Sequence, residues 1–384
     1  MNQSLRRAAV GIPGFCAFFN LYGPQSLLPS LAREFDASPA QISLTMTATT
    51  LAIAISAPFA GAIADMVGRK RVIAAAMLIA TFPLIMIALA PSLHALVLWR
   101  FVLGLVLPPI FTVVVAYIGE EWPAAQATGA MGVYMAATSG GGFAGRLVSG
   151  LLADLVGWRT GFLMTAALTF ACGLAVAAIL PRERNFRRSE GLAASGRHML
   201  GHLRNPQLLA TYAVGFGTLF TFVALFTYVN FLLAAPPFNL RPSLLGSIFV
   251  TYLAGAVAVL WLGRAIAAFG RRAMVLTAIA VWCSGALLTL AHSLPIIIIG
   301  LAIAAVGGFV VQATSTAHVA LTAKSGRTSA IGFYATSYYV GGSVGAVLPG
   351  LTWSTGGWAA CVAMVLAVQA LMAAIIRFGW NRQA

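Results

Sequence analysis

Two arginines, Arg100 and Arg146, stand alone in stretches that otherwise carry no formal charge, between Arg71 and Glu120 and between Glu121 and Asp154. An arginine at mid-depth in lipid costs at least ~2.5 to 3.5 kcal/mol, so its presence in an apolar run calls for a partner or a task. A guanidinium can grip a carboxylate with two parallel hydrogen bonds, which makes an anionic ligand one such task. Snorkelling to the surface, or pairing with backbone carbonyls, is the competing reading. Arg146 also has an acid, Asp154, two turns along its own run. The acids point the same way by their positions. All eight, Glu34, Asp36, Asp65, Glu120, Glu121, Asp154, Glu183 and Glu190, fall at or beyond the ends of apolar runs. A buried carboxylate whose pKa is raised by desolvation, a usual device for carrying a proton through a membrane, is therefore missing. Proton coupling would fall to Glu34, Asp36, Asp154, His318 or the ligand itself. For His318 a structural hydrogen bond competes with that role.

The elements that hold these residues follow from composition. The chain has 384 residues, 60% of them apolar and 8% charged, with a mean hydropathy of +0.92. This lies outside the range of soluble globular domains and indicates a membrane protein. One crossing takes about 20 apolar residues. Uncharged gaps of that size fill the chain, and breakers near Ser293–Pro295 and Thr355–Gly357 divide the two longest, giving twelve spans. Arg100 and Arg146 fall in spans 4 and 5, on the order of 10 Å inside the expected helix ends. Span 1 carries Asn20, Tyr22 and Gln25 with two prolines, Pro24 and Pro29, which free carbonyls that neighbours must satisfy. Span 7 places Phe222, Phe226 and Asn230 on one face.

The net charge of +15 is topological. With the ends and every second loop assigned to one side, that side holds 18 of the 23 Lys and Arg, which places both termini in the cytoplasm and leaves nucleic acid without support as a partner. Cys16, Cys172, Cys283 and Cys361 sit in four different spans at no metal-binding spacing, and no metal or cofactor is expected. The basic start reads as the flank of an uncleaved first helix.

The chain repeats itself. Gly132, Tyr134, Gly141, Gly142, Gly145, Gly150, Gly157 and Trp158 recur 200 positions later as Gly332, Tyr334, Gly341, Gly342, Gly345, Gly350, Gly357 and Trp358. Gly61, Gly68 and Arg69 recur at an offset of 202 as Gly263, Gly270 and Arg271. The expected organisation is an all-α membrane protein built as two parallel six-helix repeats, residues 1–180 and 207–384, joined by a polar linker, 181–206. In span 5, Ala137, Gly141, Gly145 and Ser149 recur every four residues, a small-residue stripe that lets another helix backbone approach.

The loop GAIADMVGRKR has a physical reading of its own. Gly61 and Gly68 permit close packing and a tight turn, Asp65 supplies the sole anion at that end of span 2, and Arg69, Lys70 and Arg71 anchor to anionic lipid. With twelve spans in two parallel halves, this loop resembles that of the major facilitator superfamily, an example of parallel repeats. RFVLG (Arg100–Gly104) is similar to the family's span 4 motif, and GRLVSGLLADLVGWR to the end of span 5 in bacterial efflux members. The resemblance implies a secondary active transporter of the inner membrane, working by alternating access, exporting a small organic molecule and exchanging it for protons. It implies a conformational latch at Asp65, one-sided because Ala267 replaces it in the second copy. It implies a structural or proton-handling role for Arg100, facing span 1. It implies that spans 1, 7 and 10 line the site, with Asn20, Tyr22, Gln25, Phe222, Phe226, Asn230 and Gln312 beside Arg100 and Arg146. In span 5 the chain departs from the family's antiporter motif: Arg146 stands where a proline is expected, and Ser149 replaces a glycine. The expected partners are a small-molecule substrate, protons and membrane lipid, with the chain acting as a monomer. Uptake of an organic anion by proton symport and a transporter-like receptor are the alternatives. Against an enzyme, there is no phosphate-cradling glycine loop with Lys, no paired His at metal spacing and no carboxylate dyad.

Overall fold

The computed structural model describes residues 3–183, 205–323 and 327–380. Most of the expected linker, 181–206, lies outside these, as does Glu190. The described chain is helical between short turns. Span 1 comprises Gln3–Tyr22, a 3₁₀ turn at Gly23–Leu27, and Leu28–Glu34. Spans 2 to 7 follow as Pro39–Val67, Arg69–Ala88, Leu93–Glu121, Ala124–Val156, Trp158–Ile179 and Pro206–Ala234. Span 8 is Pro242–Ser247, a 3₁₀ turn at Ile248–Thr251, Tyr252–Leu260 and Leu262–Phe269. Spans 9 and 10 are Arg271–Leu288 and Leu294–Thr322, and spans 11 and 12 share Arg327–Gly379. Among the described residues nine helices are long and apolar enough to cross a membrane, one of them the 50-residue stretch Ala330–Gly379, long enough for two. Span 1, broken and arginine-flanked, and span 5, rich in Gly and Ala, complete twelve passes.

Four of the duplicated glycines mark where spans end. Gly68 and Gly270 have φ of 104° and 77°, and Gly157 and Gly357 have φ of 82° and 57°. This is backbone that glycine adopts without penalty, so each copy of the sequence turns the chain at the same two places. The turn at Gly357 separates spans 11 and 12 within the longest helical stretch.

Over the described residues the contacts divide the chain into two compact units, one of Met1–Ala37, Ala48–Gly191 and Arg241–Ser247, the other of Ser38–Thr47, Leu192–Leu240 and Ile248–Ala384. In the first, span 5 lies against span 1 along the small-residue stripe. A Cβ on Gly141 would strike the carbonyl of Phe15, and one on Gly145 the carbonyl of Phe19. In the second, Gly341 meets the carbonyl of Phe216 and Gly345 that of Phe220 in the same manner. The stripe thus brings backbone against backbone twice, as close-packed spans require. Gly61 has no such neighbour: a Cβ there meets nothing within 4 Å, so its share in close packing is not seen.

Candidate functional site: the break in span 1

The break in span 1 gathers most of the first unit's polar candidates. Pro24 opens the 3₁₀ turn, and the chain from Gly23 to Leu28 is buried. Asn20 is 2% exposed; its Nδ2 donates to Thr169 Oγ1 in span 6 at 3.0 Å, while its Oδ1 is buried with no hydrogen-bond partner.

Arg100 reaches the break from span 4 and is fully buried. Its Nη1 donates to the carbonyl of Asn20 at 2.9 Å and its Nη2 to that of Leu21 at 2.8 Å. Span 4 can hold it there because Gly104 allows spans 2 and 4 to touch through Thr49 and Ala52. Thr49 Oγ1 in turn donates to Arg100 O at 3.1 Å. Arg100 was expected to face span 1, and its terminal nitrogens lie on the backbone of that span, because a buried cation must find acceptors and these carbonyls need donors.

Arg146 reaches the other side of the break. It lies ten residues from Val156, the end of span 5, about 15 Å along the helix and further in than expected. At 2% exposure it does not snorkel. Its Nε donates to Gln25 Oε1 at 2.7 Å and its Nη1 to Gly142 O at 2.7 Å, and its guanidinium stands 4.1 Å from the centre of the Tyr22 ring. This last contact is a cation–π interaction, strengthened where water is excluded. Ser26 Oγ donates to Arg146 O at 2.8 Å. Asp154 is no partner of Arg146 in these contacts. It accepts from Ser243 N at 3.0 Å, at the start of span 8. Asn20, Tyr22, Gln25, Arg100 and Arg146 therefore come together as one constellation.

In the second unit Phe222 and Phe226 belong to an aromatic core. Phe222 lies 4.8 Å from Trp282 and 5.6 Å from Phe309 by ring centres, and Phe226 lies 4.6 Å from Tyr252. Both are buried among these rings, the packing role that an aromatic pair on one helix face also allows. Asn230 donates to Phe226 O at 2.6 Å on its own helix, its Oδ1 buried without a partner. Gln312 is half-buried, its carbonyl accepting from Thr316. His318 is buried, stacked on Trp380 at 4.0 Å, with Nε2 3.3 Å from Thr322 Oγ1.

At the loop after span 2, Asp65 is not the sole anion. Arg69 is paired with Asp65 at 3.2 Å and with Glu120 from the end of span 4. Glu183 accepts from Lys70 N at 3.4 Å and lies against Gly68. Glu120 and Glu183 were missed because they join the loop from 55 and 118 residues away, and only their place at helix ends hinted at it. Of the remaining acids, Glu34 bonds Arg159 and Trp158, and Asp36 is exposed in the turn after span 1 at φ 47°. Every acid among the described residues lies within two residues of a helix end or outside a helix.

A bundle of membrane-crossing helices with a broken first helix, an internal duplication and a buried polar constellation defines a polytopic membrane protein. The profile of the Major Facilitator Superfamily matches residues 11–240 and again 218–383, and the chain belongs to that superfamily. It is 30% identical to the uncharacterized MFS-type transporter YybF of Bacillus subtilis, over 92% of this chain and 87% of that one. It is also 30% identical to the inner membrane transport protein YnfM of Escherichia coli, over 94% and 87%. Among solved structures the nucleoside transporter NupG superposes with a TM-score of 0.81 at 13% identity, covering 98% of this chain and 100% of that one. The human organic anion transporter MFSD10 superposes with a TM-score of 0.74 at 18% identity, over 98% and 100%. At such identities these likenesses describe the fold.

Proposed function

We propose that the protein is a secondary active exporter of the bacterial inner membrane, moving a small organic molecule that carries an anionic group by alternating access, in exchange for protons, with both termini in the cytoplasm. The observation that carries the reading is Arg146. A buried cation about 15 Å deep in its helix sits in a chain whose described acids all lie at helix ends. A ligand carboxylate would compete with the neutral Gln25 Oε1 for the guanidinium, because it is charged and can accept two parallel bonds. Tyr22 offers an aromatic face beside the charge, and Asn20 Oδ1 an acceptor for a ligand donor. The cluster of Asp65, Arg69, Glu120 and Glu183, with the turn at Gly68, is the conformational element, and the backbone contacts of Gly141 and Gly145 make span 5 move with span 1. Glu34, Asp36, Asp154 and His318 are the groups that carry the proton in the opposite direction to the ligand. Similarity to the E. coli protein YnfM supports the inner membrane. Export draws support from the multidrug resistance protein MdtG of Klebsiella pneumoniae, 32% identical over 44% of this chain and 41% of that one.

Purified protein in liposomes, offered a panel of radiolabelled aromatic and aliphatic carboxylates under an imposed pH gradient, tests this. Accumulation driven by an acidic lumen is expected. Accumulation driven by an acidic exterior would mean symport and overturn export, and preferential thermal stabilisation by organic cations would overturn the anionic ligand.

A further inference from the structure

Pro24 has no N–H. In an α-helix that group would donate to the carbonyl four residues back, which is Asn20 O; in a 3₁₀ turn it would donate three residues back, to Leu21 O. These are the two carbonyls that Arg100 takes, one with each terminal nitrogen. We propose that Arg100 is the donor that stands in for Pro24: a positioning residue that holds span 1 open as a 3₁₀ turn, so that Tyr22 and Gln25 face Arg146.

The rest of the molecule supports the pairing. The segment between the two arginines' contacts is buried from Gly23 to Leu28, where an unmet carbonyl is costly and water is not at hand. The duplicated half lacks both members together. Span 7, aligned on span 1 through Phe15 and Phe216, has Leu225 at the place of Pro24 and runs unbroken from Pro206 to Ala234. At the offset of 200, Arg100 falls on Gly300, which packs against Gly285 O and Leu288. Where the helix keeps its own donor, no arginine is supplied. The cost of burying the guanidinium is thereby offset in part by the carbonyls of the break.

The consequence for transport rests on the reading that Tyr22, Gln25 and Arg146 form the ligand site; the structural pairing does not. The test is a cycle of full-length variants, Arg100→Ala, Arg100→Gln, Pro24→Ala and the double variant Pro24→Ala with Arg100→Ala. Each is measured for thermal unfolding in detergent and for carboxylate KM and maximal rate in liposomes. Arg100→Ala is expected to raise KM by at least about tenfold and to lower Tm, as loss of bonds from a charged donor does. Arg100→Gln, with one amide to offer, falls between. Restoring the backbone N–H is expected to rescue, bringing the double variant within about threefold of Pro24→Ala alone. A role confined to global stability would lower the amount of active protein and leave KM unchanged. A double variant no better than Arg100→Ala, in both Tm and KM, overturns the proposal. Should Arg100→Ala fail to insert, recovery of insertion in the double variant is the same test. If the wild type moves no carboxylate, the ligand reading has failed, while the Tm cycle still decides whether Arg100 replaces the missing donor.

Discussion

The contact of span 1 with span 5 and the contact of span 7 with span 11 are two solutions from one ancestral frame. Both bring glycines against carbonyls at matching places, Gly141 and Gly145 on Phe15 and Phe19, Gly341 and Gly345 on Phe216 and Phe220. Both stack the two phenylalanines, with ring centres 5.6 and 6.3 Å apart. Both anchor the carbonyl that follows: Ser26 donates to Arg146 O and Tyr228 to Ala346 O, each at 2.8 Å. What differs lies inside this shared scaffold. One copy has a proline break and two buried arginines, the other a continuous helix and an alanine. Duplication preserved the backbone contacts, where any side chain is a clash, and let the copies diverge beside them, at Pro24, Arg100 and Arg146.

The most severe way to break the comparison is to move the charge. Ala346 is fully buried, and Ala346→Arg would bury a guanidinium where span 7 is an unbroken helix with Phe226 at the place of Gln25. Overpacking and an unmet charge together should prevent accumulation of folded protein in the membrane; normal expression and a wild-type Tm would show that the two sites are equivalent after all. In the reverse direction, Arg146→Ala should insert yet lose about tenfold to a hundredfold in carboxylate transport, the range for bonds to a charged group. Arg146→Lys should recover little, since an ammonium lacks the planar fork. Undiminished carboxylate flux in Arg146→Ala would remove the ligand role.

Next in size is a test of what the two copies share. Gly145→Val and Gly345→Val each force a side chain against a phenylalanine carbonyl, and each should lower stability by about 1 to 3 kcal/mol or prevent folding. The expectation is symmetry: the two Tm shifts should agree, although one glycine lies beside the proposed site and the other does not. A loss in Gly145→Val alone would mean that the second stripe is not an equivalent backbone contact.

The frame was legible in the sequence because its signals are local or periodic. Apolar runs gave the spans, and the repeat offset marked Gly68, Gly157, Gly270 and Gly357, all of which turn out to have positive φ. The stripe at spacing four predicted close approach without naming the partner. The site was legible as residue types and not as roles. Pro24 and Arg100 lie 76 residues apart, and only coordinates reveal that one supplies what the other lacks. Phe222 and Phe226 show the same limit of pattern. Aromatic residues on one helix face serve a core and a ligand equally well in pattern, and only the fold shows that these two pack against Trp282 and Tyr252.

A smaller effect separates the copies at their loops. Asp65 and Glu120 flank Arg69, whereas Ala267 occupies the place of Asp65 in the second copy. Asp65→Asn should slow transport about twofold to fivefold while insertion is unchanged, the scale of a partly exposed ion pair, and Ala267→Asp should do nothing measurable. Equal slowing by both changes would contradict a one-sided latch.

The finest probe concerns the two hydroxyl anchors. Ser26→Ala and Tyr228→Phe each delete one donor to the carbonyl of the residue at the diverged position, and neither alters the neighbouring packing greatly. Hydrogen bonds between spans are worth on average about 0.6 kcal/mol, because the unfolded helices in the membrane also find partners. On stability alone the two variants should be nearly indistinguishable. They should part in transport, because Ser26 belongs to the 3₁₀ turn that carries Gln25, whereas Tyr228 belongs to an unbroken helix. Ser26→Ala should therefore raise carboxylate KM, and Tyr228→Phe should leave it at the wild-type value. A KM that rises equally in both would place the ligand as much on span 7 as on span 1, and the division of labour between the copies would have to be abandoned.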